Sequence, residues 1–267
     1  MQNRIRPSRR SLIAASGAAV AAAMAAPAQA QSARRTFVLV HGAYHGGWCW
    51  RRVADLLEAK GHKVYTPTLT GLGERSHLMS TAVNMDMHIA DIVNVFKWEG
   101  LENAVLVGHS YGGWPVSGAI EQVLPQVSSI VFLDAFLPVD GETGTDQQSQ
   151  ENRAQVTKAF AAGEASRPAP KASSFEVADP KDIAWVESKM TPQPIGVTLQ
   201  PIKLTYARDR VAKKTYIRAK KHPSAAFDKA LDGCKKAGGW KVYELDTGHD
   251  VMVDKPDLLA NILMEVA

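Results

Sequence analysis

The amino-acid sequence predicts an α/β fold, in which helices flank a mostly parallel β-sheet and a helical cap insertion covers one edge of the sheet. Short apolar runs alternate with amphipathic helical runs at the spacing typical of βαβ units. Two glycine-rich turns directly follow apolar runs, as loops do at the ligand-binding edge of such sheets. The chain has 267 residues, 45% of them hydrophobic and 22% charged, which is the composition of a globular protein.

The elements before residue 138 alternate regularly. The β-rich run Arg35–Val40 predicts a buried strand, and the amphipathic run Trp48–Ala59, closely followed by a glycine, predicts a helix. A strand at Lys63–Thr66 and a helix at Met85–Trp98 with one apolar face come next. Further strands are predicted at Asn103–Val107 and Ser128–Leu133, with a helix at Trp114–Val123 between them.

The regular pattern breaks after Pro138. Residues 141–174 are polar, alanine-rich and marked by proline, without a strand signal, and Val177–Met190 resembles a helix around Trp185. We therefore interpret residues 138–205 as the cap, inserted within a single domain of residues 31–267. The sheet pattern then resumes, with strands at Lys214–Ala219 and Lys241–Leu245 and helices at Ala225–Ala237 and Pro256–Val266.

The run from Gly108 to Gly112 has the Gly-x-Ser-x-Gly pattern of a nucleophile elbow, with Ser110 at its centre. Such a turn holds its serine at a strained backbone conformation, so that the hydroxyl points out of the sheet. Side chains two residues either side would collide with the neighbouring strand and helix, which explains the glycines. A strand before the motif and a helix after it supply the required context. Ser110 is therefore the candidate nucleophile.

A glycine-rich loop, His41-Gly42-Ala43-Tyr44-His45-Gly46-Gly47, directly follows the first strand. A loop at that edge can point backbone N–H groups at a developing oxyanion. The N–H groups of Ala43 and of Tyr111, the residue after the nucleophile, are the candidate oxyanion hole. The alternative is a tight turn that needs glycine for its φ angles.

His249 is the candidate base, because it lies just after the last predicted strand, where an elbow fold places its histidine. His41, His45 and His109 lie in segments that can also line the site. The remaining histidines are interpreted as surface residues: His62, His77, His88 and His222.

Asp134 is the candidate acid. It ends the strand that follows the elbow strand and lies in an apolar run, where a carboxylate must be solvated or paired. A cap of a helix or loop is the alternative role for an aspartate there. Asp228, Asp246 and Asp250 remain alternative acids.

The His41–Trp50 run, the Gly-His-Ser-Tyr-Gly-Gly elbow and the late Gly248-His249 pair resemble the α/β-hydrolase superfamily over residues 36–267. More narrowly, the chain resembles the branch of plant methylesterases, hydroxynitrile lyases and bacterial carboxylesterases of the pyrethroid-hydrolase type. It implies an α/β-hydrolase fold and the roles given above to Ser110, His249 and the two N–H groups. The usual acid position of the branch aligns near His222, and this departure favours Asp134.

The sequence thus predicts a serine carboxylesterase that hydrolyses hydrophobic or aromatic small-molecule esters through an acyl-enzyme, with Tyr44 and Trp185 lining the substrate site. A hydroxynitrile lyase is one alternative. Such enzymes resemble this chain but carry a lysine where it has Asp250 and a threonine where it has Val38. A non-catalytic protein that binds a small apolar ligand is the other alternative. The sequence does not predict the oligomeric state.

Residues 1–30 predict an export signal of the twin-arginine type. Arginines, among them the Arg9-Arg10 pair, precede the apolar run Leu12–Ala26, and Ala28-Gln29-Ala30 fits a cleavage site. The expected location is the bacterial periplasm or the medium. An uncleaved anchor is the alternative, although the run is short for a membrane span.

The charge balance argues against nucleic acid or an anionic membrane as a partner. The chain has a net charge of +4, and four arginines without acidic residues lie within residues 1–30, so the remainder is close to neutral. No Cys/His cluster has zinc spacing, and neither a metal nor a cofactor is expected. An oxidising periplasm permits a disulfide between Cys49 and Cys234, but their pairing stays open.

Overall fold

A computed structural model describes residues 34–267. The export signal predicted for residues 1–30 lies outside the described residues. The strands are β1 (Thr36–Val40), β2 (Lys63–Tyr65), β3 (Ala104–His109), β4 (Val127–Leu133), β5 (Ser166–Arg167), β6 (Gln193–Pro194), β7 (Lys213–Ala219) and β8 (Trp240–Leu245). The helices are α1 (Arg51–Ala59), α2 (Met85–Glu99), α3 (Gly113–Val123), α4 (Gln150–Ala161), α5 (Pro180–Lys189), α6 (Gly196–Leu199), α7 (Ala225–Ala237), α8 (Val251–Asp254) and α9 (Pro256–Val266).

Six parallel strands form the main sheet in the order β2-β1-β3-β4-β7-β8. All six residues of the central β3 are buried, as expected for a parallel strand covered by helices on both faces. The carboxyl ends of these strands meet at one edge of the sheet. The loops after β1, β3, β4 and β8, which carry the predicted site residues, therefore converge there.

Successive residues of a strand pack into two separate hydrophobic clusters in turn, one cluster on each face of the sheet. Val38 and Leu106 belong to one cluster, and Phe37 and Val105 to the other. The two cysteines are free and buried, and they lie in different clusters, Cys234 in the first and Cys49 in the second. The sheet thus separates them, and the open question of a disulfide is answered by two free thiols.

The segment between β4 and β7 is more structured than its sequence pattern indicates. Residues 141–174 carry no strand signal, yet the two-residue β5 pairs antiparallel with β6, Arg167 opposite Gln193. The helix α4 is not predicted as a separate element because none of its residues is fully buried and its apolar face is short, limited to the partly buried Val156, Ala159 and Phe160. The predicted helix at Val177–Met190 is α5, which is shorter at both ends.

The other predicted strands and helices agree with the structure to within a few residues, and the helices α7 and α9 have the predicted bounds. The predicted first helix begins as a 3₁₀ turn, Gly47–Trp50, before α1. Among residues 34–267, no helix combines the length and the apolar character that a membrane span requires.

Candidate active site

The turn between β3 and α3 has the strained geometry predicted for a nucleophile elbow. Ser110 has a φ of +53°, in the left-handed region that side chains other than glycine rarely adopt. A Cβ atom on Gly112 would lie 2.7 Å from the carbonyl oxygen of His41, and one on Gly108 would lie 2.9 Å from that of Gly112. The two glycines are therefore required because backbone atoms pack directly against them.

His249 and Asp134 are in direct contact. The Nδ1 atom of His249 lies 2.6 Å from Oδ2 of Asp134, and both side chains are almost fully buried. A carboxylate only accepts hydrogen bonds, so Nδ1 carries the proton and Nε2 is left as the basic nitrogen. Asp134 has a φ of +42° at the end of β4, a strained position of the kind found at functional sites.

The second oxygen of the Asp134 carboxylate is held by the neighbouring strand β7. Oδ1 accepts hydrogen bonds from Nη1 of Arg218 at 2.7 Å and from the backbone N–H of Ala219 at 3.0 Å. The Arg218 side chain is itself buried and also contacts Asp228 at 2.9 Å. Asp134 therefore has the hydrogen-bond partners and the opposite charge that a buried carboxylate needs.

Among the described residues, the alternative acids have other partners. Asp228 pairs with Arg218, and Asp246 is exposed and lies 3.4 Å from the ammonium group of Lys221. Asp250 is buried, but its carboxylate faces His45 at 3.1 Å. Asp134 is thus the carboxylate placed to orient His249.

Ser110 and His249 line one cavity of about 210 Å³ at the carboxyl edge of the sheet. Ala43 and Tyr44 line the same cavity, and its walls are largely aromatic: Phe136, Phe175 and Phe227. A larger cavity of about 310 Å³ lies beside it between α3, α7 and the cap, and the two share Phe136. Since the larger cavity contains none of the predicted catalytic side chains, we place the chemistry in the smaller one.

Of the two candidate oxyanion-hole residues, Ala43 lines this cavity and Tyr111 directly follows Ser110, which also lines it. No hydrogen bond from the backbone N–H of Ala43 to another group is found within residues 34–267. Tyr111 is the second residue of the 3₁₀ turn Ser110–Gly112, a position whose N–H has no partner inside the turn. The next N–H, that of Tyr44, donates to Oε1 of Gln193 in β6 at 3.0 Å. Tyr44 has a φ of +67°, and this contact with the cap fixes its strained conformation.

Trp185 does not reach the cavity, unlike Tyr44. Its ring packs edge-on against Trp48, with centroids 5.1 Å apart, and the guanidinium of Arg52 lies 5.2 Å from its centroid. Its place on α5 therefore attaches the cap to the start of α1, and the structure gives no support for the predicted substrate contact.

Two histidines interpreted from the sequence as surface residues are parts of the site. The His222 ring lies against His249, with centroids 4.3 Å apart and planes at 30°, and it lines the cavity. Burial, together with the neighbouring His249, lowers the pKa of His222 to about 4. His222 is thus neutral at pH 7 and does not repel a proton on His249.

His88 is fully buried beneath the elbow. Its Nε2 donates to the carbonyl oxygen of Thr70 at 2.8 Å, so Nδ1 accepts from the Tyr111 hydroxyl at 2.9 Å. Burial lowers its pKa to about 4. His62 is also buried, and of the four residues interpreted as surface histidines His77 alone is exposed. A lone histidine in a loop or on a helix gives no periodic signal that reveals its burial.

Asp134, His222 and His249 offer donor atoms within 4.8 Å of one another, as a metal site would. Their orientation does not fit such a site. The two imidazole rings lie face against face with their planes tilted by 30°, and Nδ1 of His249 is already engaged with Asp134. The cluster is better explained by the hydrogen bond and the ring packing than by a metal ion.

Comparison with known proteins agrees with this geometry. Residues 37–262 match the model of the alpha/beta hydrolase family. The chain belongs to the alpha/beta hydrolase family. A carbendazim-hydrolysing esterase from Nocardioides sp. (strain SG-4G) is 37% identical over 240 residues, which cover 85% of this chain and 97% of that protein. The putative chloroplastic methylesterase 14 of Arabidopsis thaliana is 28% identical over 87% of this chain and 72% of its own length.

The fold of this family member also has solved counterparts. An extracellular α/β-hydrolase from a Paenibacillus species superposes with a TM-score of 0.76 at 23% identity, covering 87% of this chain and 99% of the other. At that identity the likeness supports the fold alone. The predicted fold class and family are therefore confirmed, and the named esterase relatives confirm the predicted enzyme class of carboxylic ester hydrolase.

Proposed function

We propose that this protein is a serine carboxylesterase that acts through an acyl-enzyme on Ser110. The proposal rests above all on one observation: the cavity that contains Ser110 also contains His249, whose Nδ1 is bound to Asp134. A nucleophile, a base with a free nitrogen and an orienting carboxylate are the parts that acyl transfer requires.

In the first step, Nε2 of His249 takes the proton of Ser110 Oγ while the oxygen attacks the ester carbonyl. The carbonyl oxygen becomes an oxyanion, which accepts hydrogen bonds from the N–H groups of Ala43 and Tyr111. The imidazolium is stabilised by Asp134, and it gives its proton to the departing alcohol. Water, activated by the same histidine, then releases the acid from Ser110.

The cavity favours a small ester with an apolar or aromatic acid. Its volume of about 210 Å³ and its three phenylalanine walls fit a flat apolar group. The other polar side chains that line the cavity, besides those of the catalytic residues, are Tyr44, His45, His109, His222 and Ser224. Similarity to a carbendazim-hydrolysing esterase and to methylesterases supports an ester of a small alcohol. We therefore place a methyl or short alkyl ester of an aromatic acid first among the candidate substrates.

A series of p-nitrophenyl esters, from acetate to long acyl chains, tests the proposal. The protein and its Ser110→Ala variant are compared in the same preparation. If Ser110→Ala loses the hydrolysis that the unchanged protein shows, the result supports the esterase. The acyl chain length that is hydrolysed fastest indicates the size of the acyl-binding site. Hydrolysis that persists in the variant contradicts it. So does cyanide release from mandelonitrile without hydrolysis of any ester, which identifies a lyase.

We also propose that residues 1–30 direct export of the folded enzyme and are then removed after Ala30. The paired Arg9 and Arg10 ahead of the apolar run support this. The measurement is the N-terminal sequence of the protein in periplasmic and cytoplasmic fractions. An intact N-terminus in every fraction contradicts removal, and unchanged export after replacing both arginines by lysine contradicts the twin-arginine route.

A further inference from the structure

A second histidine–aspartate pair adjoins the candidate site, and its histidine, His45, lines the same cavity as Ser110. Nε2 of His45 is 3.1 Å from Oδ2 of Asp250, and both side chains are essentially inaccessible to solvent. His45 belongs to the loop after β1, and Asp250 follows His249 in the loop after β8. Three strands separate β1 from β8 in the sheet, so this contact joins two loops that meet only above the sheet edge.

Counting donors and acceptors assigns the protons of His45. Its Nδ1 lies 2.7 Å from the carbonyl oxygen of Ala43, which can only accept, so Nδ1 carries a proton. Its Nε2 faces the Asp250 carboxylate, which also accepts when ionised. Both nitrogens then donate, and the ring is an imidazolium.

Other buried histidines nearby show the contrasting pattern. His41 donates from Nδ1 to the carbonyl oxygen of Gly42 and accepts at Nε2 from the N–H of Leu69, which is the pattern of a neutral ring. His88 likewise has one donor contact and one acceptor contact. His45 therefore differs from these two histidines, because each of its ring nitrogens faces a hydrogen-bond acceptor.

Charges around the pair favour the ionised form. Burial opposes a charge on each group, but the facing partner outweighs it, so the pKa of His45 is raised and the pKa of Asp250 is lowered. Burial keeps the other nearby groups neutral: it lowers the pKa values of His41 and His109 and raises that of Cys49. The second oxygen of Asp250 has no hydrogen bond and lies 4.0 Å from Nε2 of His109, so the charge of His45 is the main compensation for the carboxylate.

We propose that His45 and Asp250 form a buried imidazolium–carboxylate pair that positions the Ala43 peptide of the oxyanion loop relative to the His249 loop. His45 fixes the Ala43 carbonyl from below, while Gln193 fixes the N–H of the same peptide group from the cap. The N–H of Ala43 belongs to the preceding peptide group, whose carbonyl, that of Gly42, accepts from Nδ1 of His41. The peptide groups on both sides of the Ala43 Cα atom are therefore held. Asp250 directly follows the base, His249, in the chain. The pair therefore fixes the position of the oxyanion hole relative to that of the base. The pair is a positioning device and takes no part in proton transfer.

This inference rests on the proposed esterase function, but its first test does not depend on activity. The wild-type protein, labelled with ¹⁵N in its histidines, is examined by NMR at pH 7.5, with His45→Gln used to assign the signal. We expect both ring nitrogens of His45 to be protonated, at a pH where a histidine with the usual pKa of about 6.5 is mostly neutral. A neutral His45 ring overturns the ion pair, whatever the enzyme hydrolyses.

The second test uses Asp250→Asn, which keeps the side-chain shape and removes the charge. After normalisation by active-site titration, we expect kcat to fall on the order of 10²-fold with KM nearly unchanged, because a misplaced oxyanion donor raises the barrier and does not weaken ground-state binding. The affinity for benzeneboronic acid, whose adduct with the serine places an oxygen in the oxyanion hole, should fall by a similar factor. Wild-type kcat and wild-type boronate affinity in this variant overturn the positioning role.

Matched controls separate this role from a general effect on folding. Asp246 lies in the same loop as Asp250, but its side chain is 88% exposed, and His77 is also exposed. The variants Asp246→Asn and His77→Gln should therefore keep wild-type kcat. If Asp250→Asn does not fold, His45→Gln removes the charge from the other side and should show the same loss of kcat. The double variant His45→Gln/Asp250→Asn should be no slower than either single variant, since both remove the same pair. Additive losses contradict the coupling.

Discussion

Asp134 and His249 lie 115 residues apart in the chain, and the Oδ2 atom of the carboxylate is 2.6 Å from Nδ1 of the imidazole. The first residue ends β4, and the second follows β8. Their contact at the carboxyl edge of the sheet gives His249 a fixed ring orientation. It leaves Nε2 in the cavity that also contains Ser110.

Asp134→Asn should reduce kcat by about 10⁴-fold, because an amide cannot hold the imidazole in the required tautomer or stabilise its protonated form. Steady-state hydrolysis of a p-nitrophenyl ester measures the effect. Asp228→Asn is the matched control, since Asp228 contacts the same arginine from the surface and should keep wild-type kcat. A near-native rate in Asp134→Asn contradicts this assignment and moves the acid to another carboxylate.

Arg218→Met should destabilise the fold by about 3–5 kcal/mol, because it removes the cation from a buried carboxylate and leaves Asp134 without its charged partner. Urea unfolding at pH 7 measures the change in the free energy of unfolding. Lys221→Met, at an exposed ion pair with Asp246, should change it by less than about 1 kcal/mol. Equal effects of the two substitutions contradict the role given to Arg218.

Two Gly→Ala substitutions should have opposite effects. In Gly112→Ala the new Cβ meets two backbone carbonyl oxygens at 2.7 and 3.0 Å, so we expect a loss of about 1–3 kcal/mol in the free energy of unfolding. Gly233 lies inside α7 with open space around it, and Gly233→Ala should stabilise the fold by about 0.5–1 kcal/mol. Thermal and urea unfolding of both variants provide the measurement. A neutral Gly112→Ala shows that the elbow tolerates a side chain there.

The protein should become less stable as the pH falls from 7 to 5. Burial lowers the pKa of His41 to about 3 and that of His88 to about 4, while the unfolded chain keeps the usual value of about 6.5. The unfolded state therefore binds more protons below pH 6.5. The stabilisation from the neutral rings is complete above that pH and is lost as the pH falls.

The expected loss between pH 7 and pH 5 is about 2 kcal/mol for each of these two histidines. Urea unfolding at the two pH values measures it. His88→Gln should reduce the pH dependence, whereas the exposed His77→Gln should leave it unchanged. A free energy of unfolding that is equal at pH 7 and pH 5 contradicts the neutral state of the buried rings.

Much of the fold and part of the site can be predicted from the sequence, because their signals are local. Apolar runs mark the buried strands, and the elbow motif indicates Ser110 as the candidate nucleophile. His249 follows from its position after the last strand. Asp134 is a candidate because a carboxylate in an apolar run needs a partner. The sequence cannot show that Arg218, on the adjacent strand, is a second partner of this carboxylate besides His249.

Features that depend on long-range contacts are not predictable in this way. The sequence gives no sign that His222 packs on His249 or that His88 supports Tyr111, since single histidines have no periodicity. Trp185 is predicted to line the substrate site because the cap is expected to cover it, but its ring packs against Trp48 instead. In the helix α4 only Val156, Ala159 and Phe160 are partly buried, so its apolar stripe is too short to reveal the helix in the sequence.

The central claim is that Ser110 carries the acyl group during turnover. The most direct measurement is mass spectrometry of protein quenched with acid within milliseconds of mixing with a p-nitrophenyl ester, followed by peptide mapping. We expect the mass of one acyl group on the peptide that contains Ser110, and none on the same peptide of Ser110→Ala. An unmodified Ser110 peptide during rapid turnover, or an acyl group on another residue, would contradict the account.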